Sequence, residues 1–236
     1  MSTKRRNSLI SMSASSEMKE LWSDISEMSL DKVLEFVAKD QDLLRDIPII
    51  KWICTSIGIN NSIQSAAFIK KYSNFIGQIN VGRFNETDFA LLDDVVDIPA
   101  VTDEIVENTM IYLERYHNEL KAKLLGKLFV ETFKHNHFSV REYNYFLFSI
   151  EQIHPFEGLD KLKEFYDYKL RMDGASTDEE KRKIWGEGAK IDFQSLMMSG
   201  LLRLPSGGSN IGDLGGAYIN EKGVKFYEFV VRDIVA

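Results

Sequence analysis

The sequence predicts a mainly α-helical protein, in which a multi-helix body is followed by a C-terminal unit containing a short two-stranded antiparallel hairpin. Three observations support this fold class. Apolar residues recur at helical spacing through most of the chain. Two Ser/Thr-x-x-Glu capping boxes mark helix starts, and Gly, Asn or Pro stands where the spacing stops. The 236 residues are enough to bury a sizeable core in one large or two small domains.

Composition and charge are those of a globular protein of the cytoplasm. Hydrophobic residues make up 44% of the chain and charged residues 28%, an ordinary balance for a soluble protein. The single cysteine, Cys54, excludes an intramolecular disulfide and fits a reducing compartment, so a cytoplasmic location is expected. The net charge of −7 repels phosphate, so contact with nucleic acid is disfavoured unless a local basic patch exists.

The N-terminal residues differ from the rest of the chain. Residues 1–16 are rich in serine and carry a Lys-Arg-Arg run without a single acid. They lack the apolar stretch of a secretory signal, so we predict a disordered basic tail. A helical body is predicted over residues 17–172, with Ser29 as the N-cap of its second helix.

Residues 46–79 raise the question of a membrane contact. From Trp52 to Ile69 the chain carries no formal charge over 18 residues, which is near the length of a membrane span. Interspersed polar residues, with Gly58 and Asn60 at a turn, favour a buried helical hairpin instead. An interfacial membrane element and a true span stay open as alternatives. The candidate membrane or oligomer contacts are Trp52, Ile53, Ile57, Phe68 and Ile69.

The next segments predict further helices of the body. A helix opens at Thr102, is interrupted near Asn118, and continues to Phe133 with apolar residues on one face. Gly126 costs this helix about 1 kcal/mol relative to Ala, so it indicates a close contact with another helix. Ser139-Val-Arg-Glu142 is a capping box and opens the next helix.

Residues 173–236 are predicted to form a separate unit that begins with a helix. The capping box Thr177-Asp-Glu-Glu180 opens this helix, which is expected over residues 178–199. Gly200 is placed in a left-handed conformation at its end. The residues assigned to the buried side of the helix are Ile184, Ile191, Phe193, Leu196 and Met197.

Two short strands and a final helix complete this unit. Residues 201–204 are expected to pair with residues 217–219 across a glycine-rich loop. Asn220 is placed as the N-cap of the final helix, whose apolar residues close over the hairpin. The pattern resembles the closing portion of winged-helix domains. The residues that carry the resemblance are Gly200, Leu201, Leu202, Tyr218, Gly223 and Phe226.

The winged-helix resemblance implies a binding role. In winged-helix relatives that read DNA, the recognition helix and the wing tip carry Arg or Lys residues that contact phosphates. Here the tip carries Asp213 and no base, which weakens the expectation of DNA binding. The helix does offer basic side chains to nucleic acid or to a protein partner. These candidate contacts are Lys181, Arg182, Lys183 and Lys190.

The whole chain also resembles an uncharacterised family of helical bacterial proteins, some of which are associated with phage defence. The segments that carry this resemblance are Asp46–Ile49, Phe68–Lys71, Lys121–Phe129 and Gly200–Phe226. The resemblance implies a helical body and, as an alternative function, an antiviral effector.

No motif predicts catalysis or a resident metal or cofactor. The sequence has no nucleophile elbow, no P-loop and no strand-bound dinucleotide fingerprint. His135-Asn136-His137 spells HNH, but the ββα scaffold of that nuclease is not predicted around it. Glu131 and His135 lie four residues apart on one helix face without a third ligand at a readable spacing.

The expected function is therefore that of a non-enzymatic binding or regulatory protein. Its expected partner is another protein or a second copy of this chain. One alternative is a membrane-acting or phage-defence effector that uses residues 46–79. Another is a DNA-binding regulator that uses the helix at 178–199.

Overall fold

A computed structural model of the chain describes residues 13–14, 16–39, 62–82, 99–204 and 216–235. Over these residues the protein is mainly helical, with a small antiparallel pair of strands near the C-terminus, which confirms the predicted fold class. The chain divides into two compact units, Met1–Asn144 and Tyr145–Ala236. The expected division into a body at 17–172 and a closing unit at 173–236 stays a prediction.

Several sequence predictions lie outside the described residues. They concern most of the basic tail, the turn of the hairpin within 46–79, and the glycine-rich loop with Asp213. The tail is described only near its end, where Ser13 is buried and the first helix already includes Ser16.

The first unit consists of helices, and the side chains of Ser29, Asn118 and Ser139 cap the starts of three of them. The helices are α1 (Ser16–Glu27), α2 (Leu30–Lys39), α3 (Ser62–Val81), α4 (Pro99–Arg115), α5 (Glu119–Phe133) and the first part of α6 (Val140–Gln152). The backbone N–H of Lys32 donates to Ser29 Oγ at 3.4 Å, and that of Leu120 donates to Asn118 Oδ1 at 2.7 Å. Both predicted helix breaks are therefore confirmed.

The capping box of α6 is also confirmed. The backbone N–H of Glu142 donates to Ser139 Oγ, and the backbone N–H of Ser139 donates to the Glu142 carboxylate at 2.8 Å. The predicted start of α4 at Thr102 is wrong, since the helix begins three residues earlier at Pro99. Proline suits a first turn because its missing N–H has no helical partner there.

The core of the first unit is built around α3, which packs against α1, α2 and α5. A continuous set of aromatic rings crosses this core. Successive ring centroids lie 5.2 Å apart for Trp22 and Tyr72, 6.1 Å for Tyr72 and Phe75, and 5.8 Å for Phe75 and Phe129. A Cβ at Gly126 would lie 2.5 Å from the carbonyl oxygen of Phe75, so only glycine permits this approach of α3 and α5. The close contact predicted at Gly126 is confirmed.

Polar groups of this core are matched to helix backbones. Thr109 Oγ1 donates to the Ile105 carbonyl oxygen at 2.6 Å and accepts from the Tyr143 hydroxyl at 2.7 Å, and burial raises the pKa of Tyr143. Lys71 Nζ donates to the carbonyl oxygens of Glu114 at 2.5 Å and Tyr116 at 2.8 Å. Lys71 thus caps the C-terminal end of α4, where carbonyls lack helical partners.

The second unit alternates helices with short irregular segments. Its elements are the rest of α6, α7 (Glu157–Gly174), α8 (Asp178–Gly188), a 3₁₀ turn (Gln194–Leu196), β1 (Leu202–Arg203), β2 (Tyr218–Ile219), α9 (Glu221–Phe226), a π-helical turn (Tyr227–Val231) and α10 (Arg232–Val235). In the antiparallel hairpin, Leu202 lies opposite Ile219 and Arg203 lies opposite Tyr218. The π-helical turn continues the final helix.

The helix predicted over 178–199 is wrong in its extent, because α8 ends at Gly188. Its start is confirmed, since the backbone N–H of Glu180 donates to Thr177 Oγ1 at 3.2 Å. Gly188 packs directly on the Tyr168 ring, where a Cβ has no room, and glycine favours the end of a helix. Asp192 Oδ1 then accepts from the backbone N–H of Gln194 and starts the 3₁₀ turn.

The hairpin region follows the predicted turn chemistry. Gly200 has a φ of +71°, the left-handed conformation that was predicted. Its carbonyl oxygen accepts from the Tyr145 hydroxyl at 2.6 Å and from Asn220 Nδ2 at 2.8 Å. Asn220 Oδ1 accepts from the backbone N–H of Gly223 at 2.8 Å, so the predicted N-cap of the last helix is confirmed. Phe226 is buried and stacks on Phe146 at 5.0 Å.

Candidate protein-interaction surface

The four basic candidates are exposed, but they do not form a single patch. Lys183 and Lys190 lie near the carboxylate of Glu187, which accepts a hydrogen bond from Arg171. This hydrogen bond lowers the pKa of Glu187 most, and the positive charges of Lys183 and Lys190 lower it further. Lys183 and Lys190 therefore lie beside the carboxylate of Glu187 rather than in a purely basic patch.

Lys181 and Arg182 lie on a different face of α8. They precede Trp185 by four and three residues, the spacings that place side chains on one helix face. Trp185 is exposed, and its Nε1 donates to the Tyr218 hydroxyl at 3.1 Å. Lys181 and Arg182 therefore neighbour Trp185, whereas Lys183 and Lys190 lie near Glu187.

The candidate membrane or oligomer contacts are placed in part. Phe68 and Ile69 are buried in the core of the first unit, where Phe68 stacks on Tyr72. Neither side chain is available to a membrane or a partner. Trp52, Ile53 and Ile57 lie outside the described residues. In the part of the chain that is described, no helix is both long and apolar enough to cross a membrane.

The His-Asn-His string forms the turn that ends α5. Asn136 has a φ of 56°, a left-handed conformation that asparagine tolerates better than most residues. Glu131 is buried, forms an ion pair with Lys127 at 3.0 Å, and lies at hydrogen-bond distance, 2.7 Å, from Nδ1 of His137. The sequence had paired Glu131 with His135 instead. Across the described ranges, no group of three His, Cys, Asp or Glu side chains is arranged to hold a metal ion.

The sequence did not point to a pair of segments in the second unit that lie side by side. At one end, the Tyr145 hydroxyl donates a hydrogen bond to the Gly200 carbonyl oxygen. At the other end, a Cβ on Gly158 would lie 3.2 Å from the Ser195 carbonyl oxygen. Tyr145 therefore contacts Gly200, and Gly158 lies close to Ser195.

Four large apolar side chains that lie between these contact residues along the chain are exposed. On one segment, Phe148 is 42% exposed and Phe156 is 64% exposed. On the other, Met197 is 47% exposed and Met198 is 62% exposed. We call these four residues the methionine surface. The assignment of Met197 to the buried side of a helix was wrong, because the helix ends nine residues before it.

The two methionines are presented by a turn whose polar groups are satisfied. The backbone N–H of Met197 donates to the Gln194 carbonyl oxygen, and that of Ser199 donates to the Leu196 carbonyl oxygen. Ser199 Oγ also donates to the Leu196 carbonyl oxygen at 2.6 Å. Because Leu196 and Ser199 are both fully buried, the turn is fixed from both sides while the methionines face outward.

Carboxylates surround one lysine beside the methionine surface. Lys161 on α7 forms an ion pair with Glu164 at 2.7 Å. The hydrogen bond that Lys161 Nζ donates to Glu164 raises the pKa of Lys161 most, and the negative charges of Glu164, Asp192 and Glu157 raise it further. Glu157 directly follows Phe156, and Asp192 precedes the methionine turn. The sequence offered one unused signal for this region, the adjacent Met197-Met198 pair beyond Asp192.

Comparison with protein-family models, with curated proteins and with solved structures found no match to this chain. The winged-helix resemblance and the resemblance to phage-defence proteins therefore stay predictions.

Proposed function

We propose that this chain is a non-enzymatic binding protein that acts through protein–protein contacts at the methionine surface. The observation that carries the proposal is the exposure of four large apolar side chains on two anchored segments. Large apolar side chains grouped on a surface are typical of contact sites between proteins. Their burial against a partner contributes about 25 cal/mol for each Å² of apolar area removed from water.

The amino-acid types support the same proposal. Methionine and aromatic residues are enriched in the buried centres of protein interfaces. The thioether side chain adapts to the shape of its partner because it is unbranched and flexible. A fixed turn beneath Met197 and Met198 means that binding need not order the backbone as well.

The winged-helix resemblance also supports a binding role, and the residues that carry it are mutually packed. Leu201 is buried, and its carbonyl oxygen accepts from the backbone N–H of Asn220 at 3.0 Å. Gly223 lies so close to the same carbonyl oxygen that a side chain has no room. These contacts fix the hairpin against the start of α9.

The experiment compares three baits in cells that express the protein naturally. The baits are the wild type, the double variant Met197→Gln/Met198→Gln, and the single variant Leu170→Gln. Leu170 is a matched control because it is 52% exposed and lies about 18 Å along α7 from Gly158. We expect partners that the wild type and the Leu170 variant retain and the double variant loses.

The same three proteins are also compared for self-association by sedimentation at increasing concentration. A second copy of the chain as partner predicts an oligomer that only the double variant fails to form. Identical partners and identical sedimentation for all three proteins would contradict the proposed function.

Nucleic-acid binding is a second candidate function, and one observation favours it. An exposed aromatic side chain, Trp185, lies on the same helix face as Lys181 and Arg182. Single strands are bound by aromatic stacking beside cationic side chains. Binding that weakens with salt, is lost in Lys181→Gln/Arg182→Gln and persists in Lys183→Gln would support this function. Absence of binding at low salt would remove it.

A further inference from the structure

Two aromatic side chains of the second unit are joined at the surface by a hydrogen bond. Trp185 of α8 is 40% exposed, and its Nε1 donates to the hydroxyl of Tyr218 on β2 at 3.1 Å. Tyr218 is half-buried, and its ring centroid lies 6.3 Å from that of the buried Tyr168. The hydrogen bond uses the edge of the indole, so it orients the ring without covering either of its π faces. The hairpin therefore positions Trp185 while Trp185 stays exposed.

Three exposed cationic side chains lie next to this aromatic pair. Lys181 and Arg182 share the helix face of Trp185, which they precede by four and three residues. On the hairpin, Arg203 lies directly opposite Tyr218. Residues directly opposite on antiparallel strands carry their Cβ atoms about 5 Å apart on the same face of the sheet. The cations of α8 and of the hairpin are therefore connected through the hydrogen-bonded pair.

The charge of this surface is positive on balance. In the part of the chain that the structure describes, none of the three cations forms an ion pair with a carboxylate. Carboxylates occupy residues 178–180 at the start of α8, but only that of Asp178 shares the helix face of Trp185, about 10 Å away along the helix axis. Beyond β2, Glu221 and Lys222 carry opposite charges. An anionic ligand is therefore favoured here.

Resting on the second candidate function, we infer that α8 and the hairpin form one binding surface for a single-stranded nucleic acid, in which Tyr218 positions Trp185 and Arg203 supplies a further phosphate contact. One base stacks on the indole, and the flanking phosphates meet the cations of α8 and of the hairpin. Every base has a π face, so binding depends weakly on the base sequence. A duplex keeps its bases stacked on one another and cannot make this contact.

The first experiment compares ligands on the full wild-type chain. A labelled single strand of about ten nucleotides, the duplex of the same sequence and a free mononucleotide are tested by fluorescence anisotropy at low salt, the mononucleotide as a competitor. We expect the single strand to bind on the order of tenfold more tightly than the duplex. Equal binding of the duplex, or a mononucleotide that competes as well as the strand does, would overturn the inference.

The second experiment tests how the indole is positioned. Tyr218→Phe keeps the ring but removes the oxygen that accepts from Trp185, and it is expected to weaken strand binding severalfold. Tyr166→Phe is the matched control, because it also removes one hydroxyl hydrogen bond, which Tyr166 donates to Glu228 at 2.8 Å. Trp185→Ala is expected to weaken binding on the order of tenfold. Trp185→Phe retains a ring and part of the binding but loses the quenching of tryptophan fluorescence by the bound strand.

The third experiment tests the cation of the hairpin. Arg203→Gln is expected to reduce the slope of log K against log salt concentration by about 0.7, the value for one phosphate contact of a single strand. Lys183→Gln is the control, because it removes an equal charge beside Glu187 and is expected to leave the slope unchanged. The variant Met197→Gln/Met198→Gln is expected to bind the strand as the wild type does.

The outcomes separate this inference from the function on which it rests. If strand binding is lost in Lys181→Gln/Arg182→Gln but is unchanged by Tyr218→Phe or by Arg203→Gln, the composite surface is refuted while the second candidate function stands. If Tyr166→Phe weakens binding as much as Tyr218→Phe does, the positioning role is refuted as well. If the wild type binds no strand at low salt, the inference and the second candidate function fail together.

Discussion

The described parts of the two units differ in the exposure of their aromatic and methionine side chains. In the first unit, the rings of Trp22, Tyr72 and Phe129 join one continuous buried set. In the second unit, Phe146 and Phe226 form such a core, yet Phe148, Phe156, Trp185, Met197 and Met198 remain exposed. The rings named in the first unit are thus buried, whereas these five side chains of the second unit are exposed to solvent.

The exposure of Phe156, Met197 and Met198 follows from the elements that carry them. The rings of the first unit lie on α1, α3 and α5, and α3 packs against both of the other helices. In the second unit, Phe156 directly precedes α7, and Met197 and Met198 lie on a turn. The turn is fixed by its hydrogen bonds and by the buried Leu196 and Ser199, and these contacts leave Met197 and Met198 exposed.

The largest effect is expected where backbone meets backbone in the first unit. Gly126→Val places a side chain against the Phe75 carbonyl oxygen and forces α3 and α5 apart. We expect the free energy of unfolding to fall by about 3 kcal/mol. Urea denaturation followed by circular dichroism measures it. Gly77→Ala is the control, because nothing lies within 4 Å of its Cβ position and Ala favours helix by about 1 kcal/mol.

A smaller loss is expected at the equivalent close contact of the second unit. Gly223→Ala places a methyl group against the Leu201 carbonyl oxygen and Ile219. Because the strands of this hairpin are short and can shift, we expect a loss of about 2 kcal/mol. Hydrogen exchange of the α9 amides reports it. Gly186→Ala is the control, because nothing lies within 4 Å of its Cβ position. The free energy of unfolding of this variant is expected to rise slightly or stay unchanged. Equal losses in both variants would refute the packing argument.

A still smaller effect concerns the pH dependence of the first unit. Burial lowers the pKa of Lys71 from 10.5 to about 8, although the charge of Glu114 opposes this. Between these two pH values the unfolded chain binds more protons than the folded chain. Through Lys71, the free energy of unfolding therefore rises with pH across this window. Below pH 8, Lys71 is charged in both the folded and the unfolded chain, so its contribution to the free energy of unfolding is constant.

The measurement compares the wild type with Lys71→Met between about pH 7 and pH 9.5, a range that brackets the lowered pKa. Lys71→Met loses the cap on α4 at every pH, so the slope rather than the absolute stability is the test. Because the side chain is only partly buried, we expect the difference between the two curves to change by less than about 1 kcal/mol. Parallel curves would show that Lys71 titrates in the folded protein as it does in the unfolded chain. Above about pH 10, the buried tyrosines Tyr72 and Tyr143, whose pKa values burial raises, lower stability in both proteins.

The smallest effect on stability is expected at the methionine surface. Met197→Gln/Met198→Gln exchanges exposed side chains, so the free energy of unfolding should stay within about 0.5 kcal/mol of the wild type. The thermal midpoint of the purified variant checks this. A loss of about 2 kcal/mol or more would mean that the methionines support the fold, and the contrast between the two units would disappear.

Local signals in the sequence were sufficient for much of the fold. Ser29, Asn118 and Asn220 were identified as caps because a side-chain oxygen reaches a backbone N–H two or three residues away. Gly200 was identified because a left-handed residue after an apolar run favours glycine. These contacts depend on few neighbours along the chain, so spacing and residue type describe them.

The extent of α8 and the methionine surface needed contacts that the spacing does not contain. Apolar spacing beyond Gly188 resembled a continued helix, but the glycine packs on Tyr168, twenty residues earlier in the chain. Once the helix ended, the periodicity no longer assigned Met197 to the inside. The contact of Glu131 with His137 was missed for a similar reason, because it depends on the left-handed turn at Asn136.

The sequence by itself determined that the chain is mainly helical, where most helices begin, and that a hairpin precedes the last helix. Capping, glycine placement and apolar spacing act over a few residues, so they can be predicted from the sequence without a structure. The tertiary structure alone decided which apolar side chains are covered. Coverage depends on segments far apart in sequence, such as Tyr145 with Gly200 and Gly158 with Ser195, meeting in space.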